Sequence, residues 1–387
     1  MKLQSFFLVV GCLVLLALTS PAAELRPAKI GEDADPDALF TEPKVLPLKL
    51  ELSAAALEAL NKNPKAYVKA TLREGSHTFN EVAVRIKGHG SFLGLDKKPS
   101  LALKINEFVP GQKFHGVTKL FLNNSAHDAS YLAETLAGQI FREAGVPASR
   151  TTFARMEFNG RDAGLYVVSE AMNKDFLSRY FKKSKGNLYE GSNTDVTDTL
   201  DKDSGDDSTD QKDVKTLAKA AAEADPAQRW KKLAPLLDID RFISFAATEV
   251  LLWHRDGYAL EHKNYRLYHD PASGHMVFLP HGVEQLFSKA DGALLPEWKG
   301  LVAGAVVETP EGKQRYRERM AKLLSGAASP AALQERIKEL AAKIRPGLPA
   351  NEAGKTFDAA VAKLIESLAK RVAYLDVELK KSPPAPK

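Results

Sequence analysis

The chain has 387 residues, a formal net charge of +5 and 44% apolar residues, enough to build an ordinary hydrophobic core spread over two lobes or domains. So slight a charge over this length does not indicate nucleic-acid binding, and no aromatic-basic RNA motif occurs. The single cysteine, Cys12, lies in a segment expected to be removed, which excludes disulfide and thiol chemistry in the mature protein.

Met1-Lys2, an apolar run from Phe6 to Leu18 and the small residues Ser20-Pro21-Ala22 have the form of a secretory signal peptide, residues 1–23, cleaved near Ala22 or Ala23. The apolar run is shorter than the roughly 20 residues of a membrane span, so the mature chain is expected to be secreted or periplasmic with no transmembrane span. Leu8 to Cys12 also has the look of a lipoprotein box, which leaves anchoring at Cys12 as the alternative. Residues 24–42 read as a linker.

From residue 43 to 170 the chain is strand-rich. Strands are predicted over 46–52, 67–74, 80–88, 100–108 and 119–124; in the third, Val82, Val84 and Ile86 alternate with Ala83, Arg85 and Lys87, the two-residue period of a half-buried strand. A helix is predicted over 130–144, with Asp128 to Ser130 as its cap, Leu132, Leu136 and Ile140 as its apolar stripe, and Gly145 with Pro147 at its end. Asn159-Gly160 then marks a hairpin joining 153–160 to 165–170.

From 171 to 380 the pattern is helical. A helix is predicted over 173–182, and a surface loop over 195–213, where eight aspartates sit among Ser, Thr and Gly. Helix resumes around 210–224, and the apolar run 238–253 reads as a buried helix. Two strand-like runs follow, 264–270 and 275–280, joined by Pro271-Ala272-Ser273-Gly274 as a hairpin turn. Residues 312–380 read as helices broken at Ser329-Pro330 and between Pro346 and Asn351, and 381–387 as a disordered tail. The expected class is therefore α+β: a strand-rich half with one helix, then a helical half holding one small hairpin. A protein-kinase fold has that order, its catalytic loop lying between a buried helix and a short hairpin.

At that junction stands His254-Arg255-Asp256, the tripeptide that opens a protein-kinase catalytic loop. The next asparagine, Asn264, comes eight residues after Asp256 rather than the kinase spacing of about five. Phosphoryl transfer needs cations and metal ions to hold phosphate charge, carboxylates to hold the metals and a base near the acceptor hydroxyl. The chain offers each in order: a glycine-rich turn from Gly88 to Gly94, Arg85 and Lys87 beside it, Lys104 and Lys98 as strand and near-strand lysines, Glu134 on the following helix, and Glu170 at the end of the hairpin. Asp256 follows the most apolar helix, a rigid mount for a base, although an Asp capping a turn would read the same way. Asn264 and Glu284, hard oxygen donors at either end of the second hairpin, complete a magnesium set with Asp256, with His281 and Gln285 as polar neighbours. The histidines from His254 to His281 show no zinc spacing, and no serine-hydrolase signature occurs. The 195–213 loop is a second candidate cation site, for calcium, without EF-hand spacing.

Taken together, VAVRIKGHGSF, KLFLNNSAHDASYLAETLAGQIFREAGVPA, FNGRDAGLYVVSEAM and RDGYALEHKNYRLYHDPASGHMVFLPHGVEQLF resemble, in this order, the CotH (spore coat protein H) family of atypical secreted protein kinases, over roughly residues 45–290. The resemblance implies an atypical protein-kinase-like two-lobe fold, with a strand-rich N-lobe and a helical C-lobe, that uses ATP with Mg²⁺ or Mn²⁺ to phosphorylate hydroxyl side chains of secreted or cell-surface proteins. It assigns catalysis to Asp256, the downstream amide to Asn264 and the later metal acid to Glu284. Where the family has two aspartates in that last segment, this chain has Gly282 and Glu284. The longer glutamate displaces the carboxylate by more than ~1 Å, enough to weaken a positioned reaction. A non-catalytic envelope or spore-surface binding protein is the alternative.

Overall fold

The computed structural model describes residues 36–381 except 89, 207, 208 and 327; the expected signal peptide, Cys12 and most of the tail lie outside the described residues. Seven strands, β1 (Val45–Glu51), β2 (Val68–Glu74), β3 (His77–Lys87), β4 (Ser100–Lys104), β5 (Lys119–Asn123), β6 (Thr151–Phe158) and β7 (Arg161–Glu170), close into a barrel of order β1-β2-β3-β4-β5-β7-β6. Closure comes from β1 pairing parallel to β6, with Leu48 beside Met156; every other pair is antiparallel. The alternation seen in the sequence decides the two faces. Leu48, Leu72, Val82, Val84, Ile86, Leu101, Leu103, Leu120 and Leu122 fill the interior, which turns Arg85, Lys87, Lys104, Lys119 and Asn123 outward on one common surface.

The expected strand-rich N-lobe is a closed seven-stranded barrel, and a clear two-lobe layout is not what the chain shows. The physical reason is that β6 has two apolar-faced neighbours available, β7 by the hairpin and β1 from the chain start, and pairing with both removes two open sheet edges. Within the expected linker, α1 (Pro36–Thr41) packs Leu39 and Phe40 into the barrel core. The short helix α2 (Ala54–Lys62) links β1 to β2, capped by Ser53.

Helix α3 (Ala133–Glu143) lies between β5 and β6. Asp128 serves its start from a distance: Oδ1 accepts from Ser130 N at 2.9 Å and Oδ2 from Ala133 N at 2.9 Å. After α4 (Lys174–Tyr180) comes a second sheet of order β11-β10-β8-β9, built from β8 (Leu188–Gly191), β9 (Asp201–Ser204), β10 (Tyr265–His269) and β11 (Met276–Pro280). The expected isolated hairpin is thus half of a four-stranded sheet, because β8 pairs with the free edge of β10. The aspartate-rich stretch contributes β9 and the entry to α5 (Lys212–Ala221), so it is in part regular structure. Two of its acids are structural: Asp195 accepts from Tyr258 Oη at 2.9 Å and Leu301 N at 2.7 Å, and Asp213 from Tyr189 Oη at 2.8 Å and Asn187 Nδ2 at 3.0 Å.

The remaining helices are α6 (Pro226–Leu233), α7 (Ile239–Leu252), α8 (Tyr258–Glu261), α9 (Leu301–Val307), α10 (Pro310–Ser325), α11 (Pro330–Ile344) and α12 (Glu352–Lys380). Twelve of the fourteen residues of α7 are buried, which makes it the centre of the larger core. Among the described residues no helix is long and apolar enough to cross a membrane.

Candidate active site

The barrel's outer face and the end of α7 enclose a cleft of about 460 Å³. Arg85, Lys87, Glu134, Glu170, Asp256, Asn264 and Glu284 all line it, although they are spread over 200 positions of sequence. Lys98 and Lys104 do not line it.

One wall comes from the barrel and α3. Lys87, at the end of β3, donates from Nζ to Asn123 Oδ1 at 2.6 Å, and Asn123 Nδ2 donates to both oxygens of Glu134 at 2.8 Å. Asn123 on β5 therefore bridges a strand lysine to a helix glutamate. Its amide can serve both because it has an acceptor at one end and donors at the other. The ring of Phe121 lies 4.7 Å from the ammonium. Burial presses the Lys87 pKa down, against the attraction of Glu134 and Glu284. Burial also lifts the Glu134 carboxyl, helped by the charge of Glu284, to about 7.

The facing wall comes from the end of α7 and the hairpin β10–β11. Trp253 ends α7 in the left-handed region, at φ 42°, and the chain turns into Asp256. His254 is fully buried; its Nε2 lies 3.0 Å from the Gly282 carbonyl, and its Nδ1 is 3.6 Å from Glu249 Oε1, just beyond hydrogen-bond reach. Burial disfavours charge on His254, yet Glu249 outweighs it and raises the pKa. Glu249, also fully buried, accepts from Tyr258 N at 3.0 Å and Ala259 N at 2.7 Å, so its carboxylate ties α7 to the backbone just after Asp256. Arg371 on α12 adds a third clamp: its guanidinium donates to the carbonyls of Val250 (2.6 Å), Leu251 (3.4 Å), Ala290 (3.2 Å) and Gly292 and lies 4.9 Å from the Trp253 ring.

Asp256 itself accepts from Gln285 Nε2 at 3.3 Å and faces the cleft with its other oxygen without a protein donor among the described residues. Asn264 and Gly282 face each other at the base of the hairpin, both at positive φ, 43° and 60°. A Cβ on Gly282 would sit 2.9 Å from Asn264 Cγ, so the position that carries an aspartate in the resembling family is crowded here by the neighbouring amide. Glu284 Oε1 lies 4.0 Å from His127 Nδ1 across the cleft. Arg266 on β10 also lines the cleft; its Nη2 donates to Glu190 Oε2 at 2.8 Å, and its Nη1 meets Asp203. His281, 3.8 Å from Glu190, is held neutral, its pKa pushed well below the usual value by burial and by Arg266, Lys87 and His254.

Three residues named from the sequence have other engagements. Lys104 pairs with Glu107 at 3.0 Å and its ammonium lies 4.7 Å from the Tyr67 ring. Lys98 donates to Tyr131 Oη at 2.9 Å and stacks over Tyr131 and Tyr166. Glu170 lines the cleft, but both its oxygens are taken by arginines, Arg179 Nη1 at 2.6 Å and Arg150 Nη2 and Nε at 3.0 and 3.1 Å. Among the described residues no group of three or more His, Cys, Asp or Glu is arranged to close around a metal, the aspartate-rich stretch included. A magnesium ion that bridges phosphates needs only one or two protein carboxylates, and the cleft offers Asp256, Glu284 and the Asn264 amide. Burial first, and the nearby Glu284 second, raise the Glu134 carboxyl; Asp256 and Glu284 line the same cleft, and hard oxygen donors of this kind suit a divalent cation.

Asn123, Glu190, Arg266 and Arg371 were not legible as site residues. Asn123 had a usable signal: it continues the outward alternation Lys119, Phe121, Asn123 on the strand next to the Lys87 face.

In this mixed α and β protein a strand lysine bridged to a helix glutamate faces an aspartate, an asparagine and a glutamate across one charged cleft. The description "CotH kinase protein" matches residues 84–375, three quarters of the chain, and the chain belongs to that family. It is 21% identical over 286 residues to the inner spore coat protein H of Bacillus subtilis (strain 168), covering 68% of this chain and 77% of that protein. Solved structures similar to it include the Shewanella oneidensis MR-1 toxin–antitoxin complex of HipA, HipB and operator DNA (13% identity, 88% of this chain and 76% of that chain, TM-score 0.35) and the Helicobacter pylori proinflammatory kinase CtkA (8% identity, 72% and 94%, TM-score 0.35).

Proposed function

We propose that the chain is an exported phosphotransferase of the atypical protein-kinase type, with the barrel and α3 binding the nucleotide and the helical half carrying the catalytic turn. ATP with Mg²⁺ or Mn²⁺ is the donor, and hydroxyl side chains of secreted or cell-surface proteins are the acceptors. The observation that carries the reading is the Lys87–Asn123–Glu134 bridge facing Asp256 across one cleft. Lys87 and Arg85 offer N–H donors to phosphate oxygens, and Gly88, Gly90 and Ser91 line the same cleft. Asp256, its Oδ2 steadied by Gln285, accepts the hydrogen bond of the acceptor hydroxyl at Oδ1 and takes its proton as the oxygen bonds to the γ-phosphorus, while the bond from that phosphorus to the β,γ-bridging oxygen breaks and ADP leaves. Asn264 and Glu284 hold the metal, which when bound supplies charge neutralisation for the transferring phosphoryl group. Residues 1–23 direct export, in line with the spore-coat name of the Bacillus relative.

Crowding at Gly282 favours a second reading, a non-catalytic envelope or spore-surface protein that keeps the fold as a scaffold. Incubation with labelled ATP and Mg²⁺ or Mn²⁺, beside an Asp256→Ala control, separates the two. Label on protein that depends on Asp256 supports transfer. Absence of both label and nucleotide-dependent thermal stabilisation refutes it.

A further inference from the structure

The outward surface of the barrel that carries Lys87 also carries Arg85, Lys104 and Lys119, and of these four only Arg85 and Lys87 line the cleft. Lys104 stands directly opposite Lys119 in the β4–β5 ladder, and Arg85 stands opposite Ala102, two residues from Lys104 on the same face. Like charges directly opposite in a ladder are destabilising. Lys104 has Glu107 as counter-ion, but among the described residues neither Arg85 nor Lys119 has a carboxylate within ion-pair distance. Burial, with Arg266, Lys104 and Arg85, presses the Lys119 pKa down to about 8.

Lys119 also forms one side of a second cavity, of about 350 Å³, whose other charged members are Lys174, Lys185 and Asp203. The Asp203 charge is taken by Arg266, a residue of the main cleft, so this ion pair joins a wall of one cavity to a wall of the other. Met172 lines both. Lys174 and Lys185 are exposed at the outer rim. Cations thus run from the cleft at Arg85, past Lys119, to Lys174 and Lys185. A compact triphosphate wants charges converging on one point, whereas this row is strung out along two adjoining hollows and matches separated negative charges on an extended chain.

We propose that this row docks an acidic stretch of the acceptor polypeptide, its Asp and Glu carboxylates meeting Lys119, Lys174 and Lys185 while its hydroxyl reaches Asp256. The substrate class rests on the phosphotransfer reading above; the docking surface does not. The test is fluorescence anisotropy of the full chain with short labelled serine peptides flanked by Asp and Glu, by Lys and Arg, or by phosphoserine, on wild type and a Lys174→Glu/Lys185→Glu variant. The acidic peptide is expected to bind at least about tenfold more tightly than the basic one, to weaken with added salt, and to lose that preference in the variant, whose thermal stabilisation by ATP and Mg²⁺ stays unchanged. Equal binding of acidic and basic peptides overturns the proposal, as does an acidic preference that survives charge reversal. Tighter binding of the phosphoserine peptide than of the carboxylate peptide overturns the choice of an unmodified acceptor. If the acidic preference holds and depends on the two lysines while no nucleotide stabilises the protein, the phosphotransfer reading fails and the docking surface stands.

Discussion

The two walls of the cleft are held by opposite means. On the barrel wall, charged side chains meet through a neutral one: Asn123 joins Lys87 to Glu134, and burial shifts both of these ionisable ends toward neutrality. On the α7 wall, buried charges meet backbone: Glu249 accepts two N–H groups, and Arg371 donates to four carbonyls. Side-chain contacts of the first kind can rearrange when a ligand brings charge. Contacts of the second kind fix the turn that carries Asp256, because the chain cannot move without leaving buried polar groups unpaired. Responsiveness therefore belongs to the barrel wall and rigidity to the other, the division a site needs if it must bind a charged donor and hold a base still.

The sharpest way to break this comparison lies in Asp256. Asp256→Ala is expected to lower phosphate transfer by about 10²–10⁴-fold, with the urea midpoint nearly unchanged, since its one protein hydrogen bond is long. A loss of stability as large as the loss of activity would show that Asp256 is a structural cap. Next comes Arg371→Met, expected to cost roughly 3 kcal/mol or more by stranding buried carbonyls, read from urea denaturation. Arg371→Lys, with fewer donors, should recover only part of it. If Arg371→Met is nearly neutral, the rigid wall is held by something other than this clamp.

Gly282→Asp should be a smaller insult. A non-glycine residue at φ 60° costs roughly 1–2 kcal/mol, and the new Cβ presses on Asn264, so a lower melting temperature is expected with no gain in metal-dependent nucleotide binding. A gain would mean that Asn264 yields easily and that the glycine limits function. On the barrel wall, Glu134 links stability to pH. Its folded pKa, about 7 against an ordinary 4.5, means that the folded state holds the proton more tightly. Its contribution should therefore be full below about pH 4.5, decline as pH rises to about 7, and be constant above. The difference in melting temperature between wild type and Glu134→Gln, followed across that window, should change in that direction and then level off. The smallest effect is expected for Lys98→Met, outside the cleft: stability within about 1 kcal/mol, the scale of its cation–π contacts, and an unchanged nucleotide midpoint by calorimetry.

The sequence carried the elements well where one period dominates. β3 appears as the alternation around Val82, Val84 and Ile86, α7 as an unbroken apolar run, and the hairpin β10–β11 through its Pro271 to Gly274 turn. It was poorer where an element is short or polar. β8 has four residues and β9 is Asp-Lys-Asp-Ser, which only becomes a strand because β8 offers it an edge; α1 and α9 are similarly short and take their stability from burial.

Arg85, Lys87, Glu134, Asp256, Asn264 and Glu284 could be named from the sequence because their residue types and flanking elements suit phosphate chemistry. Which lysine faces the cleft could not. In one dimension Lys104, and after it Lys98, look like the phosphate lysines and Lys87 only a neighbour of the glycine-rich turn; the closing of the barrel instead turns Lys87 toward Asn123 and leaves Lys98 over two tyrosines and Lys104 beside Glu107. Arg371 had no local signal at all, since its partners lie about 80 and 120 positions away. Local pattern thus determined strands, helices and the chemical inventory, because alternation and apolar runs act between near neighbours. Closure, the choice of lysine and the clamp on the turn that carries Asp256 were decided only by the tertiary structure, because each depends on burying polar groups against segments far away in the chain.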